Sequence, residues 1–389
     1  MDAFDYADHF LYSLALTREP DRPLQVELHP GLHCDRYRCP HCFGLGQPPV
    51  AGPPVSAAEL SRALGEVARH DPLVVVSGVT TEPLTHPQAP AILRAVRERG
   101  LRLGLYTKGL RFDRDCAEPL LPGRRECYVT FSLDAFNRED YRSLHDIRIG
   151  RGDRGPYGNG ADYFERVLAN IRAVYEEKQR RRSTLEIRIA VLLFRENRDP
   201  DEVVRSVEAL AEMADLVRFA VPQDRNDGFR VANLPPRPNT LLQTLHARFA
   251  GHSKVRVLTQ TFAPARDQSF SRCYTQRFQV TIDKSGNLFP CPQVAVGQYA
   301  HLSFGNLRDG SLTQLLRSAR RRAMFDQDVD GDLRCRICDR KDEAINVALG
   351  RLERAPFSGS RVAMRRAPRM PASADMRPAN PGAGLLTAE

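Results

Sequence analysis

Between residues 24 and 223 the apolar positions keep two periods. Short β-branched runs alternate with longer stretches whose apolar residues recur every three or four positions. The runs predict strands at 24–30, 73–78, 102–107, 128–134, 185–194 and 216–221. Helices are expected between them. Ser56 followed by Glu59 has the spacing of a capping box and opens a helix to about His70. A second helix, 87–99, stops at Gly100, a residue suited to a C-cap. A third spans about 162–182, and Asp199-Pro200 supplies an N-cap and a first-turn proline for a fourth. Six strand-then-helix units predict a parallel sheet, either doubly wound or curled into a full or partial barrel.

Side-chain parity within the strands separates these two. A strand buried on both faces of a parallel sheet is apolar on both. Here Thr130, Ser132 and Asp134 share one face, with Val129, Phe131 and Leu133 on the other. Glu186 and Arg188 oppose Ile187 and Ile189 in the same way, Gln25, Glu27 and His29 oppose Val26 and Leu28, and Arg218 opposes Val217 and Phe219. Four strands with a polar face are too many for sheet edges. The parity favours a barrel whose polar lumen holds a ligand.

After Pro222 the pattern changes. Residues 224–230 are polar, 234–238 read as a linker, and a helix is expected at 240–250. A hairpin follows, with strands 278–282 and 287–290 joined by Asp283-Lys284-Ser285-Gly286. A helix is expected near 312–320. From residue 356 the chain is rich in Pro, Ala, Arg and Ser without periodicity, a composition that predicts disorder.

Length and charge narrow the class. The chain has 389 residues, enough for two domains, with 42% apolar and 27% charged residues, so a packed core is expected. No apolar run reaches membrane-spanning length, and Asp2, Asp5 and Asp8 occupy the place of a basic signal-peptide start, which predicts a cytoplasmic protein without a membrane partner. The net charge is +9, but only five of the 57 basic residues are lysine. Arginine is spread throughout the chain, which argues against a nucleic-acid partner read from charge alone.

The nine cysteines change the picture most. Cys34, Cys39 and Cys42 are clustered, Cys116 and Cys127 are isolated, and Cys273, Cys291, Cys335 and Cys338 lie near the end. Clustered thiols in a cytosolic chain point to metal or redox sites rather than to a disulfide framework. The first group can bind zinc with His33 or His41 as fourth ligand, or a four-iron cluster with one iron open. The second group, a hairpin cysteine followed by a Cys-x-x-Cys knuckle, suits a zinc ribbon or a four-thiolate iron–sulfur cluster.

The loop after the first strand, His33-Cys34-Asp35-Arg36-Tyr37-Arg38-Cys39-Pro40-His41-Cys42, resembles that of the radical S-adenosylmethionine (SAM) enzymes. Their usual cysteine gaps are three and two residues, whereas the first gap here is four. Val79-Thr80-Thr81-Glu82-Pro83 resembles the family's Gly-Gly-Glu-Pro segment, with threonines for both glycines. Leu105-Tyr106-Thr107-Lys108-Gly109 and Phe131-Ser132-Leu133-Asp134-Ala135 are also similar to family segments. The C-terminal cysteines resemble the Twitch module, the shorter form of the SPASM extension.

The resemblance implies an α/β fold, a partial (β/α)6 TIM-type barrel over 24–235. Preceding it is an N-terminal extension, 1–23. After it come a small Twitch-type iron–sulfur domain with a β-hairpin and helix at 236–355 and a tail at 356–389. It implies a [4Fe–4S] cluster on Cys34, Cys39 and Cys42 with an open iron for SAM, and one auxiliary [4Fe–4S] cluster on Cys273, Cys291, Cys335 and Cys338. It further implies SAM contacts from His41, Thr81, Glu82, Ser132 and Arg188. An ion pair of Arg188 with Glu186 or Glu27 is the alternative for that residue. Arg218 and Asp134 are further candidates for substrate contact, and the glycine-rich 150–160 stretch is expected to be a lid.

The function implied is hydrogen abstraction by a 5′-deoxyadenosyl radical from a polar small molecule, a sugar, aminocyclitol or nucleoside in natural-product biosynthesis. The outcome would be dehydrogenation, epimerisation or decarboxylation, with electrons from a flavodoxin- or ferredoxin-type donor. Maturation of a ribosomally made peptide is the alternative within the family. A zinc-stabilised nucleic-acid-binding protein is the alternative outside it.

Overall fold

The computed structural model describes residues 22–354, except 35–36, 43, 45, 49, 124, 148–162, 195–199, 221, 223–239, 259–268 and 336. Residues 1–21 of the N-terminal extension, the 150–160 loop, Asp199, the 224–230 and 234–238 stretches and the 356–389 tail therefore lie outside the described residues. The chain divides into Met1–Leu352 and Glu353–Glu389, and of the second unit only the end of a helix is described.

Seven strands follow one another in the sheet in chain order, all parallel. They are β1 (Gln25–His29), β2 (Leu73–Val76), β3 (Arg102–Thr107), β4 (Cys127–Ser132), β5 (Glu186–Leu192), β6 (Leu216–Ala220) and β7 (Val255–Val257). Beyond β1 the sheet continues with β8 (Gln279–Asp283), parallel to β1, and β9 (Leu288–Phe289), antiparallel to β8. The order β7-β6-β5-β4-β3-β2-β1-β8-β9 is a linear one, so the barrel is partial and the hairpin of the C-terminal cysteine module extends it.

The helices between the strands form as their periodicity demands. α1 (Ala57–Val67) starts from the Ser56–Glu59 capping box, worth about 1 kcal/mol, and buries Leu60, Ala63, Leu64 and Val67. α2 (Ala89–Glu98) buries Ile92, Leu93 and Val96. α3 (Arg114–Ala117) and α4 (Arg138–Leu144) are capped by the Asp113 and Asn137 side chains. α5 (Tyr163–Arg181) is the long amphipathic helix, followed by α6 (Pro200–Glu212) and α7 (Thr240–Arg248). The helix expected at 312–320 is in fact two, α8 (Leu312–Leu316) and α9 (Ala319–Met324). The break comes where the Ser318 side chain accepts from the Arg321 N–H and starts a second helix. α10 (Arg340–Arg354) ends the described chain.

Parity in the strands sets the two faces of the sheet. Val129, Phe131, Ile187, Ile189, Val217 and Phe219 are fully buried, while Glu186, Arg188, Ala190, Leu216, Arg218 and Ala220 stay partly exposed on the other face. The second face is the lumen. Register places Tyr106, Thr130 and Arg188 on one rung and Ser132 beside Ala190 and Arg218 on the next towards the strand ends. On the rung below, a Cβ at Gly104 would come 2.2 Å from the Tyr128 ring, so glycine is what lets that ring lie across the lumen. Among the described residues no helix is long and apolar enough to cross a membrane.

Candidate functional site

The three clustered cysteines follow the C-terminal end of β1, the end at which parallel barrels carry their chemistry. Their loop lies flat on the segment after β2. The Cys34 thiol donates to the Thr80 carbonyl at 3.6 Å and the Cys42 thiol to the Val79 carbonyl at 3.5 Å. A Cβ at Gly31 would sit 2.2 Å from the Glu82 carbonyl oxygen, and one at Gly44 2.3 Å from that of Val79. Only glycine permits this approach at both ends of the loop. Thr85 joins the two segments: its hydroxyl accepts from Leu32 N–H at 2.9 Å, and it lies 2.7 Å from the Glu82 carbonyl and 3.1 Å from that of His33.

The lengthened first gap is filled by Tyr37. Its ring is buried and meets Tyr141, His145 and Tyr163 edge-on, with its hydroxyl 3.0 Å from that of Tyr141. The Tyr37 N–H turns back to the Cys34 carbonyl, and the Arg38 N–H reaches the His145 carbonyl. The extra length is thus anchored on α4 and the start of α5.

Cys39 faces a buried polar group. Its sulfur is 3.2 Å from His145 Nδ1, and Lys108 Nζ is 3.4 Å from the same nitrogen. His145 Nε2 lies 3.3 Å from the Leu133 carbonyl, which can only accept, so Nε2 carries the proton and Nδ1 is the acceptor. Lys108 bonds Asp134 at 2.9 Å, Asp134 accepts from Leu192 N–H at 3.1 Å, and His41 Nε2 stands 3.9 Å from Asp134. Burial raises a carboxyl, but Lys108 overrides it and holds Asp134 at about 2. Burial also lowers Lys108, and Asp134 again prevails, keeping it charged. Burial, with Lys108 adding to it, outweighs the Asp134 charge and brings His41 down to about 4.

Of the expected cofactor contacts, His41, Thr81, Glu82 and Ser132 lie at the mouth. Thr81 lines a small crevice with Thr80, Gly31 and Asp283. The Glu82 carboxylate accepts from Lys108 N–H at 2.8 Å, from Leu84 N–H at 3.4 Å and from the Thr107 hydroxyl, which fixes its orientation. Arg188 is different. It bonds Glu186 at 2.6 Å, stacks 3.8 Å above the Tyr128 ring and sits one rung deeper than Ser132. Its anionic partner is Glu186.

The second group of cysteines closes around a cavity. Cys273, Cys291, Cys335 and Cys338 line it with Pro290, Val294, Leu302, Val329, Leu333, Ile337 and Asp342. Asn346 on α10 ties this module together, accepting from the N–H groups of Tyr274 at 2.7 Å and Thr275 at 3.0 Å.

Both donor sets fit iron–sulfur clusters. All nine cysteines are free thiols. Burial raises the Cys34 thiol, and Glu82, Cys42 and Cys39 raise it further. Cys39 is pushed to about 11, chiefly by burial. Cys291 is raised by burial and then by Cys335 and Cys273. Crowded thiols that resist ionising one another are stable as thiolates only around a cation. A zinc site built on Cys39, His41 and His145, whose ligand atoms lie within 4.8 Å of one another, would leave Cys34 and Cys42 out.

Cys116 and Cys127 are buried in the core away from both groups, and Cys127 opens β4 at the opposite end of the sheet. Thr85, Lys108, His145 and Tyr37 were not foreseen as site residues. The one local sign was Lys108, directly after a strand-end threonine in a segment already singled out.

A partial parallel barrel with a three-thiolate loop at its mouth defines the radical SAM class. The chain matches the Radical SAM superfamily over residues 30–207 and the SPASM iron–sulfur cluster-binding domain over 273–339. The chain therefore carries a radical SAM domain followed by a SPASM domain, a pairing that implies [4Fe–4S] clusters and SAM as cofactors.

A curated relative, the AdoMet-dependent heme synthase of Methanosarcina barkeri, is 27% identical over 218 residues, 55% of this chain and 54% of that one. The chain thus spans about half the length of the relative it matches. Among solved structures, SuiB of Streptococcus suis bound to S-adenosylmethionine aligns with TM-score 0.56 and 14% identity, covering 77% of this chain and 66% of that one. SuiB is also solved with a precursor peptide, SuiA. AdoMet-bound anSMEcpe aligns with TM-score 0.51 and 15% identity, covering 78% and 82%. At these identities the structural likeness concerns the fold.

Proposed function

We propose that the protein is a radical SAM enzyme that abstracts hydrogen from a polar small molecule, a sugar, aminocyclitol or nucleoside, and leads it to dehydrogenation, epimerisation or decarboxylation. The reading rests above all on the loop of three free thiols docked on Val79–Glu82 at the mouth of a polar lumen. Cys34, Cys39 and Cys42 would hold the cluster whose open iron takes SAM, and the other four cysteines the auxiliary cluster. Bound there, the cluster and SAM supply a 5′-deoxyadenosyl radical on one-electron reduction by a flavodoxin- or ferredoxin-type donor.

The chain's own groups orient and shield. Glu82, held by Thr107 and Lys108, presents a fixed carboxylate to the SAM amino group. Thr81, Ser132 and His41 border the same mouth. Tyr37 and Thr85 keep the cysteine loop seated, and Lys108 and Asp134 answer each other's charge beside it. We assign Arg188, with its Glu186 partner, to the lumen floor rather than to SAM.

The test is isotopic. Reconstituted protein is incubated with SAM, dithionite and deuterated candidates. Deuterium in 5′-deoxyadenosine from a polar small molecule is the expected result. Maturation of a ribosomally made peptide is a second reading, drawing on the likeness to SuiB. Deuterium arriving only from a labelled peptide would establish it in place of the first.

A further inference from the structure

The lumen holds charge that the reading above does not use. Arg218 on β6 lies directly opposite Arg256 on β7, on the same face of the sheet, Arg218 half-buried and Arg256 exposed at the rim. Like charges directly opposed on neighbouring strands are destabilising unless something answers them. Among the described residues neither arginine has a carboxylate partner. The only acidic residue on the lumen face of β4–β6 below the strand ends is Glu186, and Arg188 already uses it.

A second observation is independent of the first. Arg218 sends its guanidinium over the Tyr106 ring, 5.4 Å from the centroid. Beside Tyr106 in the register stands Thr130, which is 0% exposed, faces the lumen, and has no hydrogen-bond partner for its hydroxyl. Next to Thr130, the Nε of Arg188 is likewise buried without a partner. A buried donor without a partner is costly, so two of them on one rung, under an arginine pair with no carboxylate partner, point to a bound acceptor. Tyr106 reports the same field. Burial pushes its phenol up, yet Arg218 and Arg188 outweigh that and bring it below its ordinary value of 10.

We propose that this wall of the lumen, Arg218 and Arg256 with Thr130 and Arg188 beneath them, binds an anionic group of the substrate, a carboxylate or a phosphoryl. Paired guanidiniums offer the planar donors that such oxygens accept. The proposal deepens the small-molecule reading and rests on it, since it makes the polar substrate an acid or a phosphate ester. The subsite lies on the β4–β7 side of the lumen, whereas the cysteine loop lies on the Val79–Glu82 segment after β2.

Arginine labelling tests it without turnover. The cluster-loaded protein, without reductant, is treated with phenylglyoxal, and labelling is mapped by peptide mass spectrometry. Arg205, exposed on α6, is the reference. Succinate, inorganic phosphate, glycerol and SAM are added separately. Protection of Arg218 and Arg256 by about fivefold relative to Arg205 is expected from one of the two anions, as when a millimolar site is mostly filled. Glycerol and SAM should leave labelling unchanged. Succinate alone would identify a carboxylate subsite and phosphate alone a phosphoryl one.

The Thr130→Val variant, nearly isosteric, should weaken protection by about threefold. No protection by either anion would overturn the proposal. So would protection by SAM alone, because the arginines would then belong to the cofactor. Because the readout needs no SAM cleavage, its failure is distinct from failure of the enzymatic reading.

Discussion

The two cysteine sites use the same ligand in opposite settings. The first offers three thiols on a loop laid against backbone carbonyls, open to a polar lumen and bordered by Lys108, Asp134 and His145. The second offers four thiols around a cavity walled by proline, valine, leucine and isoleucine. Three donors leave a coordination position for a substrate, while four close the shell. On the proposed reading the first site is the one that reacts, and the second relays an electron or serves structurally.

The largest effect that sharpens this contrast is a matched pair of substitutions. Cys39→Ser should remove about four of about eight irons per chain and abolish 5′-deoxyadenosine formation. Cys338→Ser should remove the same share of iron yet leave SAM cleavage without substrate measurable. It should also lower the melting temperature more, because Cys338 lies two residues before the start of α10, whose Asn346 holds the 274–275 backbone.

Next comes the polar border of the first site. Asp134→Asn leaves Lys108 buried without its carboxylate, and unfolding should show a loss of about 3–5 kcal/mol. The same pair sets an acid limit. A carboxyl lowered from 3.8 to about 2 stabilises the fold fully above its unfolded value, and that contribution fades as pH falls through about 2. Denaturant midpoints should therefore fall between about pH 4 and pH 2, and the Asn variant should lack that component.

Tyr37→Ala should cost about 3 kcal/mol and lower iron loading at the first site alone, because it empties the aromatic socket that anchors the four-residue gap. Tyr37→Phe should cost about 1 kcal/mol and keep the iron. Smallest of all, Cys116→Ala should cost about 1 kcal/mol with iron content and SAM cleavage unchanged. Iron lost in that variant would break the division of the cysteines into sites and spares.

Much of this was legible in one dimension. Strands β1 to β6 follow from the periodicity, the polar lumen from parity, and the two cysteine groups from spacing. β7 was not legible, since Val255–Val257 is three residues with an arginine in the middle. The seat of the first site was not legible either. Tyr37 meets Tyr141 across 104 positions and Cys39 meets His145 across 106, and no local pattern encodes contacts of that range. The pairing of Arg188 with Glu186, two positions away on one face, was visible as an alternative from the strand alone.

The most direct measurement of the central claim is SAM cleavage by anaerobically reconstituted protein under dithionite, with metal analysis of the same sample. The account predicts about eight irons per chain, a broad absorbance near roughly 400 nm, and 5′-deoxyadenosine that disappears in Cys39→Ser. Colourless protein with two zincs and no 5′-deoxyadenosine would contradict it.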